Sequence, residues 1–342
     1  MQLRTRRNLF YAFCLAFLIL GTGTVLYAQG WRFDFGTWRT AKVGGIFVQS
    51  RPRDAAIALD GASVRNTAWF LQSGTFINNL FPRTYTLTLH KEGFLPWRRR
   101  ITVAPSLVSE VSNAVLVPHA ASAGAYAPNT APLDFSPAPL RIATTTRWSA
   151  RLLTPERNGG GQARARDARA SSTVLFLDMR NSTSNAASST LTLDSPAAAL
   201  AWNRNDVLGV LTRDGALLVH NPASGGTRAI ADGVTHFAWN ADGRRIAALE
   251  PRSLEIFDLE DESGYRRLNI PGIGGALRLI WYRDGENLFI VYPSKTAFLD
   301  FEDADLENII EVVPTSKVAY DAEANTLYYR EGETVKALEF PR

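Results

Sequence analysis

The chain has 342 residues, of which 46% are hydrophobic and 20% charged, proportions ordinary for a folded protein of two or three domains. A single cysteine, Cys14, excludes an intramolecular disulfide framework and a multi-cysteine metal site. The net charge of +4 conceals an asymmetry: residues 1–249 carry 27 basic and 14 acidic side chains, and residues 250–342 carry 10 and 19. Such a split can orient a protein against an anionic surface, and it also arises by chance over solvated faces.

The amino end predicts where the protein resides. Arg4, Arg6 and Arg7 precede Leu9 to Tyr27, nineteen residues without a charge, long enough to cross a hydrocarbon core of about 30 Å. Positive charge holds its end of a span in the cytoplasm. Residues 1–8 are therefore predicted as a cytoplasmic stub, 9–28 as a transmembrane signal anchor, and everything beyond as extracytoplasmic, which makes a single-pass protein of the cytoplasmic membrane. Tyr27, Trp31, Phe33 and Trp38 fall at the outer interface. Cleavage after Ala28 would need a small residue at Leu26, so the anchor is predicted to be uncleaved.

Residues 44–118 alternate in the manner of strands. Ile46, Val48 and Ser50 precede a break at Pro52; Ala56 to Leu59 resumes and turns at Asp60-Gly61; Tyr85, Leu87 and Leu89 share one face of a later strand. The whole predicts a small β-sandwich of about seven short strands. The order Val48-x-Ser50-x-Pro52, Asp60-Gly61, Leu80-x-Pro82-x-x-Tyr85 and Gly93-Phe94-x-x-Trp97 resembles the PEGA domain. The tetrad that names that family reads Pro52-Arg53-Asp54-Ala55 here, the Gly of a later Gly-x-Thr-Pro is Asn66, and Arg83 follows Pro82 in place of Gly. The resemblance implies an extracytoplasmic accessory module without catalytic residues.

Pro118 to Pro139 is rich in Ala, Pro and Ser, and residues 119–139 are predicted as a linker. From 140 to 342 a unit repeats. Aligned on Trp202, Trp239, Trp281 and Tyr320, the repeats lie 37, 42 and 39 residues apart, a period that marks propeller blades of three or four strands. The aromatic ends a first strand and wedges between neighbouring sheets, while Asp242-Gly243 and its counterparts supply hairpin turns. Trp148 precedes Trp202 by 54 residues; removal of the polar loop Asn158 to Ser171 leaves 40, so Trp148 is predicted to mark a further blade. The fold class is thus all-β: an N-terminal transmembrane helix, a PEGA-like sandwich, and a β-propeller of about five blades. The run WNADGRRIAAL resembles the WD40-like repeats of TolB-type propellers, with Asn240 and Ala241 where that family often has Ser-Pro.

No catalytic chemistry stands out. His90, His119, His220 and His236 have no His, Cys or acidic partner at metal-ligand spacing, and each is expected to be a surface or satisfied core histidine. Nucleophile elbow, P-loop and dinucleotide fingerprint are missing from the sequence. The pairs Asp258/Asp261 and Asp303/Asp305 sit in loops, where turn chemistry outranks calcium ligation or a glycosidase pair. No catalytic, cofactor or metal residue is assigned, and nucleic acid is not an expected partner. The expected function is that of a non-catalytic binding or scaffolding protein of the cell envelope, with an envelope polymer or protein as partner. The alternative is a propeller hydrolase or lyase acting on envelope glycans or peptides.

Overall fold

The computed structural model describes residues 3–35, 38–66, 74–125, 142–144, 148–153, 172–178, 189–302 and 309–341. The chain divides into two compact units between Val117 and Pro118.

The first unit opens with helix α1, Leu3–Ala28, whose portion Arg7–Ala28 is long and apolar enough to cross a membrane. Arg4, Arg6 and Arg7 occupy its first turns. A two-stranded ribbon follows, β1 (Trp31–Asp34) and β2 (Arg39–Lys42). The sandwich comprises β3 (Gly44–Arg51), β4 (Ala56–Leu59), β5 (Ala62–Val64), β6 (Thr75–Leu80), β7 (Thr84–His90), β8 (Trp97–Thr102) and β9 (Val108–Val115). One sheet runs β6-β3-β9, with β3 and β9 parallel, and the other β5-β4-β7-β8. Period-two alternation turns Ile46 and Val48 from the first sheet, and Tyr85, Leu87 and Leu89 from the second, into one shared core that also encloses Trp97.

The second unit begins with a single 3-10 turn, Ala120–Ser122, and a short strand β10, Gly124–Ala125. Four sheets follow, each a meander of four antiparallel strands. The first sheet is β11 (Ile142–Thr144), β12 (Trp148–Leu153), β13 (Ser172–Asp178) and β14 (Ser189–Leu193); the second is β15 (Ala197–Trp202), β16 (Leu208–Thr212), β17 (Leu217–Asn221) and β18 (Gly226–Ala231). The third is β19 (His236–Trp239), β20 (Arg245–Leu249), β21 (Leu254–Asp258) and β22 (Arg266–Leu268). The fourth is β23 (Arg278–Trp281), β24 (Asn287–Val291), β25 (Thr296–Asp300) and β26 (Ile309–Val313). The fifth sheet, β27 (Val318–Asp321), β28 (Thr326–Glu331) and β29 (Thr334–Glu339), takes its fourth strand from the other end of the unit: β10 lies antiparallel to β29, Gly124 opposite Ala337 and Ala125 opposite Lys336. Successive sheets from the first to the fourth meet along their first strands, so the array is propeller-like.

Two expectations are corrected. The linker predicted over 119–139 is in part structure, because residues 120–125 belong to the second unit and close its fifth sheet. A strand of two residues is held by backbone hydrogen bonds and asks little of its side chains, so its Ala-rich composition reads as a spacer. The remainder of the predicted linker, 126–139, lies outside the described residues, as does the loop 158–171. Trp148 is the second correction: it opens the second strand of its sheet, whereas Trp202, Trp239 and Trp281 end first strands. The 40-residue spacing therefore aligns positions that are not equivalent.

Each described seam between sheets is filled mainly by apolar side chains. Ala150, Val174 and Phe176 meet Leu200, Leu208 and Val210; Leu217 and Val219 meet Ile246 and Ala248; Ala247 and Ile256 meet Leu279, Trp281 and Leu288. Between the fourth and fifth sheets the filling is aromatic, with Phe289 centred 5.1 Å from Tyr320 and 5.4 Å from Phe340. The second and third sheets approach so closely that a Cβ at Gly209 would stand 2.5 Å from Phe237 Cε2 and 3.0 Å from Trp239 Nε1. Gly209→Ala is accordingly expected to cost about 1–3 kcal/mol by overpacking. An unchanged denaturation midpoint for that variant would mean the seam is looser than described.

Candidate functional site

The aromatic wedges do more than fill space. Trp239 donates its indole N–H to the carbonyl of Ala201 at 3.0 Å, and Trp281 donates to Ala238 O at 2.9 Å, so each ties its first strand to the first strand of the preceding sheet. Trp202 meets Phe176 of the preceding sheet edge-on at 6.2 Å. Tyr320 donates to Asn325 Oδ1 at 2.7 Å, and its ring lies 5.5 Å from Tyr282 of the fourth sheet. Burial pushes the Tyr320 phenol far above its usual range, which keeps it a donor. Of Trp148 only the backbone placement is described.

The turns that leave these strands are locked by their own side chains. Asn203 Oδ1 accepts the N–H groups of Asn205 and Val207, both at 2.9 Å, while its Nδ2 donates 2.8 Å to Gly243 O in the third sheet's turn. Asn240 Oδ1 accepts Arg245 N–H at 2.9 Å, and Arg245 reaches onward to Gly285 O in the fourth sheet, also at 2.9 Å. Asp284 and Asp321 cap their turns in the same way, through the amides of Glu286 and Glu323. The Trp-Asn pairs at 202–203 and 239–240 were the available signal for these staples, and sequence reasoning missed it by looking only at the aromatic. Asp258, one of the acidic pair, is buried. Burial alone would raise its carboxyl, but hydrogen bonds from Arg244 and from the amides of Glu260 and Asp261 outweigh this and hold it below the usual carboxylate range. Asp303 and Asp305 lie outside the described residues, among which no group of three or more His, Cys, Asp or Glu is placed to hold a metal ion.

In the sandwich, Asp60 and Gly61 take φ values of 49° and 80°, which fit a two-residue hairpin turn, and Asp60 Oδ1 accepts Thr86 N–H at 2.8 Å. Ser50 donates to Pro52 O at 3.0 Å and Tyr85 to Phe81 O, one residue before Pro82, at 3.1 Å. Gly93, at φ 82°, turns the chain towards the buried Trp97. Asn66, a departure from the motif, donates to Arg53 O and Ala55 O at 2.8 and 2.7 Å and so pins the loop after β3 by side-chain hydrogen bonds.

His220 departs from expectation. It is buried between the first two sheets, stacked on Phe176 at 4.7 Å, with Nδ1 2.8 Å from Thr227 Oγ1; among the described residues Nε2 has no hydrogen-bond partner. It is a core histidine satisfied on one side only. Burial lowers its pKa, so the unfolded chain takes up the proton first, at its ordinary value of about 6.5. The stability that neutral His220 contributes is complete above that pH and is lost as pH falls through it towards the lower folded value. Wild type is thus expected to lose more melting temperature than His220→Phe between pH 7.5 and 5.5, and parallel curves would remove His220 as the cause.

A concave feature lies at the edge of the fifth sheet. A pocket of about 330 Å³ is lined by Pro314, Thr315 and Lys317, from the connection between β26 and β27, and by Tyr329, Arg330, Glu331 and Gly332, from the end of β28 and its turn. Arg330 N–H donates to Lys317 O at 3.0 Å, and Thr296 Oγ1 donates to Thr315 O at 2.8 Å, so the two walls are fixed to the sheets beneath. Tyr329, its phenol raised by burial, donates to Ala120 O at 3.4 Å. Lys336 pairs with Glu331, and that bond raises the ammonium's pKa. Two cations, a carboxylate, a hydroxyl and a ring edge can grip a ligand of mixed polarity; among these lining residues no nucleophile stands beside a base. Nothing in the spacing of the sequence announces this group: the β27-β28 pairing brings Lys317 beside Arg330, and the connection from the fourth sheet adds Pro314 and Thr315.

No family model matches the chain, and no curated protein matches it. Among solved structures it is similar to the β-propeller domain of Cps50 (Swd1) from Myceliophteria thermophila, at 16% identity and a TM-score of 0.32 over 43% of this chain and 54% of that one. It is also similar to the extracellular domain named for the hybrid two component system BT4673 of B. thetaiotaomicron, at 10% identity and a TM-score of 0.37 over 48% of this chain and 25% of that one. The chain thus spans about half the length of the first and a quarter of the second. The propeller-like arrangement rests on the strand pairing described above.

Proposed function

We propose that the protein is a membrane-anchored, extracytoplasmic binding or scaffolding protein of the cell envelope, without catalytic activity. In this reading α1 is the anchor, residues 44–118 are a PEGA-like module, and the second unit is a TolB-like propeller of five blades that binds an envelope polymer or protein. The observation that carries the binding role is the open pocket at the edge of the fifth sheet, with Lys317, Arg330 and Glu331 at its walls. Buried Asp258 is engaged in holding the loop after its strand, and buried Glu255 pairs with Arg267 and Tyr265, so these acids support a frame that presents a surface. A photo-crosslinking residue placed at Lys317 of the full chain in intact cells is expected to yield adducts with envelope polymer or an envelope protein, and Arg330→Glu is expected to reduce them several-fold. Adducts confined to cytoplasmic proteins, or none at Lys317 while the protein is present and folded, count against the reading.

A further inference from the structure

The ribbon of β1 and β2 starts three residues after α1 ends, and its two sides differ. Opposed residues of an antiparallel ribbon share a side and alternate along each strand. Trp31, Phe33, Thr40 and Lys42 therefore lie on one side, and Arg32, Asp34, Arg39 and Ala41 on the other. Phe35 and Trp38, near the tip, join the first side through Phe33, whose ring they meet edge-on at 5.0 and 5.9 Å. These three rings are 78% (Phe35), 77% (Trp38) and 41% (Phe33) exposed. The opposite side is fastened down: the Arg32 guanidinium lies 3.6 Å from the centre of the Tyr27 ring at the end of α1 and donates to Tyr27 O at 2.8 Å and to Asn79 Oδ1 of the sandwich at 3.2 Å.

A two-stranded ribbon is at best marginally stable in water by itself, and three contiguous exposed rings mark a surface meant to be covered. We infer that this aromatic side lies in the headgroup layer of the bilayer that α1 crosses, so that the chain touches the membrane twice, once through it and once along it. Three observations select lipid as the occupant. The ribbon is continuous with the carboxyl end of the span. Its exposed residues are Trp and Phe with Lys42 beside them, 5.7 Å from the Trp31 ring centre, and aromatic rings with basic neighbours are what the membrane interface favours. Lys42 is the charged residue on the aromatic side, and a cation there suits anionic phospholipid. A further exposed apolar pair lies near the end of the ribbon: Leu107 and Val108 are 62% and 55% exposed, and the adjacent Ser106 donates its N–H to Val43 O, one residue past β2. With two attachments the sandwich is held at a set orientation to the bilayer, where a lone helix would let it swivel.

This inference rests on α1 spanning a membrane, and the experiment separates the two. The full chain is placed in nanodiscs of phosphatidylcholine and phosphatidylglycerol with an environment-sensitive fluorophore on one cysteine at a time: native Cys14 in the span, or, in Cys14→Ser protein, Thr40→Cys on the aromatic side or Arg39→Cys on the charged side. Phospholipid brominated near the headgroup is expected to quench the probe at 40 several-fold more than aqueous iodide does, with the order reversed at 39 and with position 14 shielded from iodide. Adding Phe35→Ser and Trp38→Ser should open position 40 to iodide. Equal iodide access at 40 and 39, with 14 shielded, overturns the ribbon contact and leaves the span standing. Iodide access at 14 overturns both. A probe at 40 shielded from both quenchers assigns the aromatic side to protein and overturns the lipid contact.

Discussion

Trp281→Ala is expected to destabilise the second unit by about 3–5 kcal/mol, the range for removing a large buried aromatic. The indole is buried at the seam between the third and fourth sheets, edge-on to Phe301 at 5.8 Å, and its N–H serves Ala238 O. Alanine removes the wedge, leaves a cavity that rigid sheets on both sides cannot close, and removes a hydrogen bond between neighbouring sheets. Trp281→Phe keeps most of the apolar body and loses only the donor, so its cost should stay nearer the ~0.5–1.5 kcal/mol of a single hydrogen bond. Hydrogen exchange followed by mass spectrometry on the full chain reads the effect seam by seam. Protection should collapse in β19, β20, β23 and β24 and hold in the sandwich. Equal losses for the two variants, or a loss spread evenly through the chain, would falsify the wedge role.

Asp258→Asn is expected to cost about 2 kcal/mol at neutral pH, within the range for hydrogen bonds to charged groups. The Asp258 side chain is 1% exposed, but Arg244 and Arg245 are 41% and 25% exposed, so water still solvates the cations once the carboxylate is gone. That keeps the cost below the one measured when a fully buried pair is broken. Because the folded carboxyl titrates below its unfolded value, its contribution is complete above about pH 3.9 and drains away as pH falls through the lower folded value. Wild type and variant should therefore differ at pH 7 and converge in stronger acid. A gap that persists unchanged into acid would trace the effect to packing instead of charge. Arg245 also holds Gly285 O, so the variant should loosen the turn of the fourth sheet as well as its own.

The legible parts of this chain were those governed by period and by turn chemistry. Ile46, Val48, Tyr85, Leu87 and Leu89 alternate in sequence and point into one core; Asp60-Gly61 has the residues that positive backbone dihedrals demand and adopts them. Trp239 and Trp281 could be read as wedges because a large ring at a fixed spacing has few other uses. Illegible were features set by relations between distant segments. Gly124 and Ala125 carry no side-chain signal, and their strand exists only because β29 offers an edge. Lys317 and Arg330 oppose one another across the β27-β28 hairpin, but the concavity that Pro314 and Thr315 complete beside them has no mark in the sequence. Trp148 misled because the 40-residue arithmetic assumed its role, while position in the meander decides it.

The pairing of β10 with β29 joins residues more than two hundred positions apart, and it has a kinetic meaning. Closing so long a loop is entropically costly and returns nothing until the far end arrives. During synthesis the first strand of the unit must therefore wait, unpartnered, until the last hairpin has emerged, and the fifth sheet is the last to form. A chain stopped short of Thr334 loses that latch at both termini of the array, leaving its other strands with open edges that a second copy can pair with.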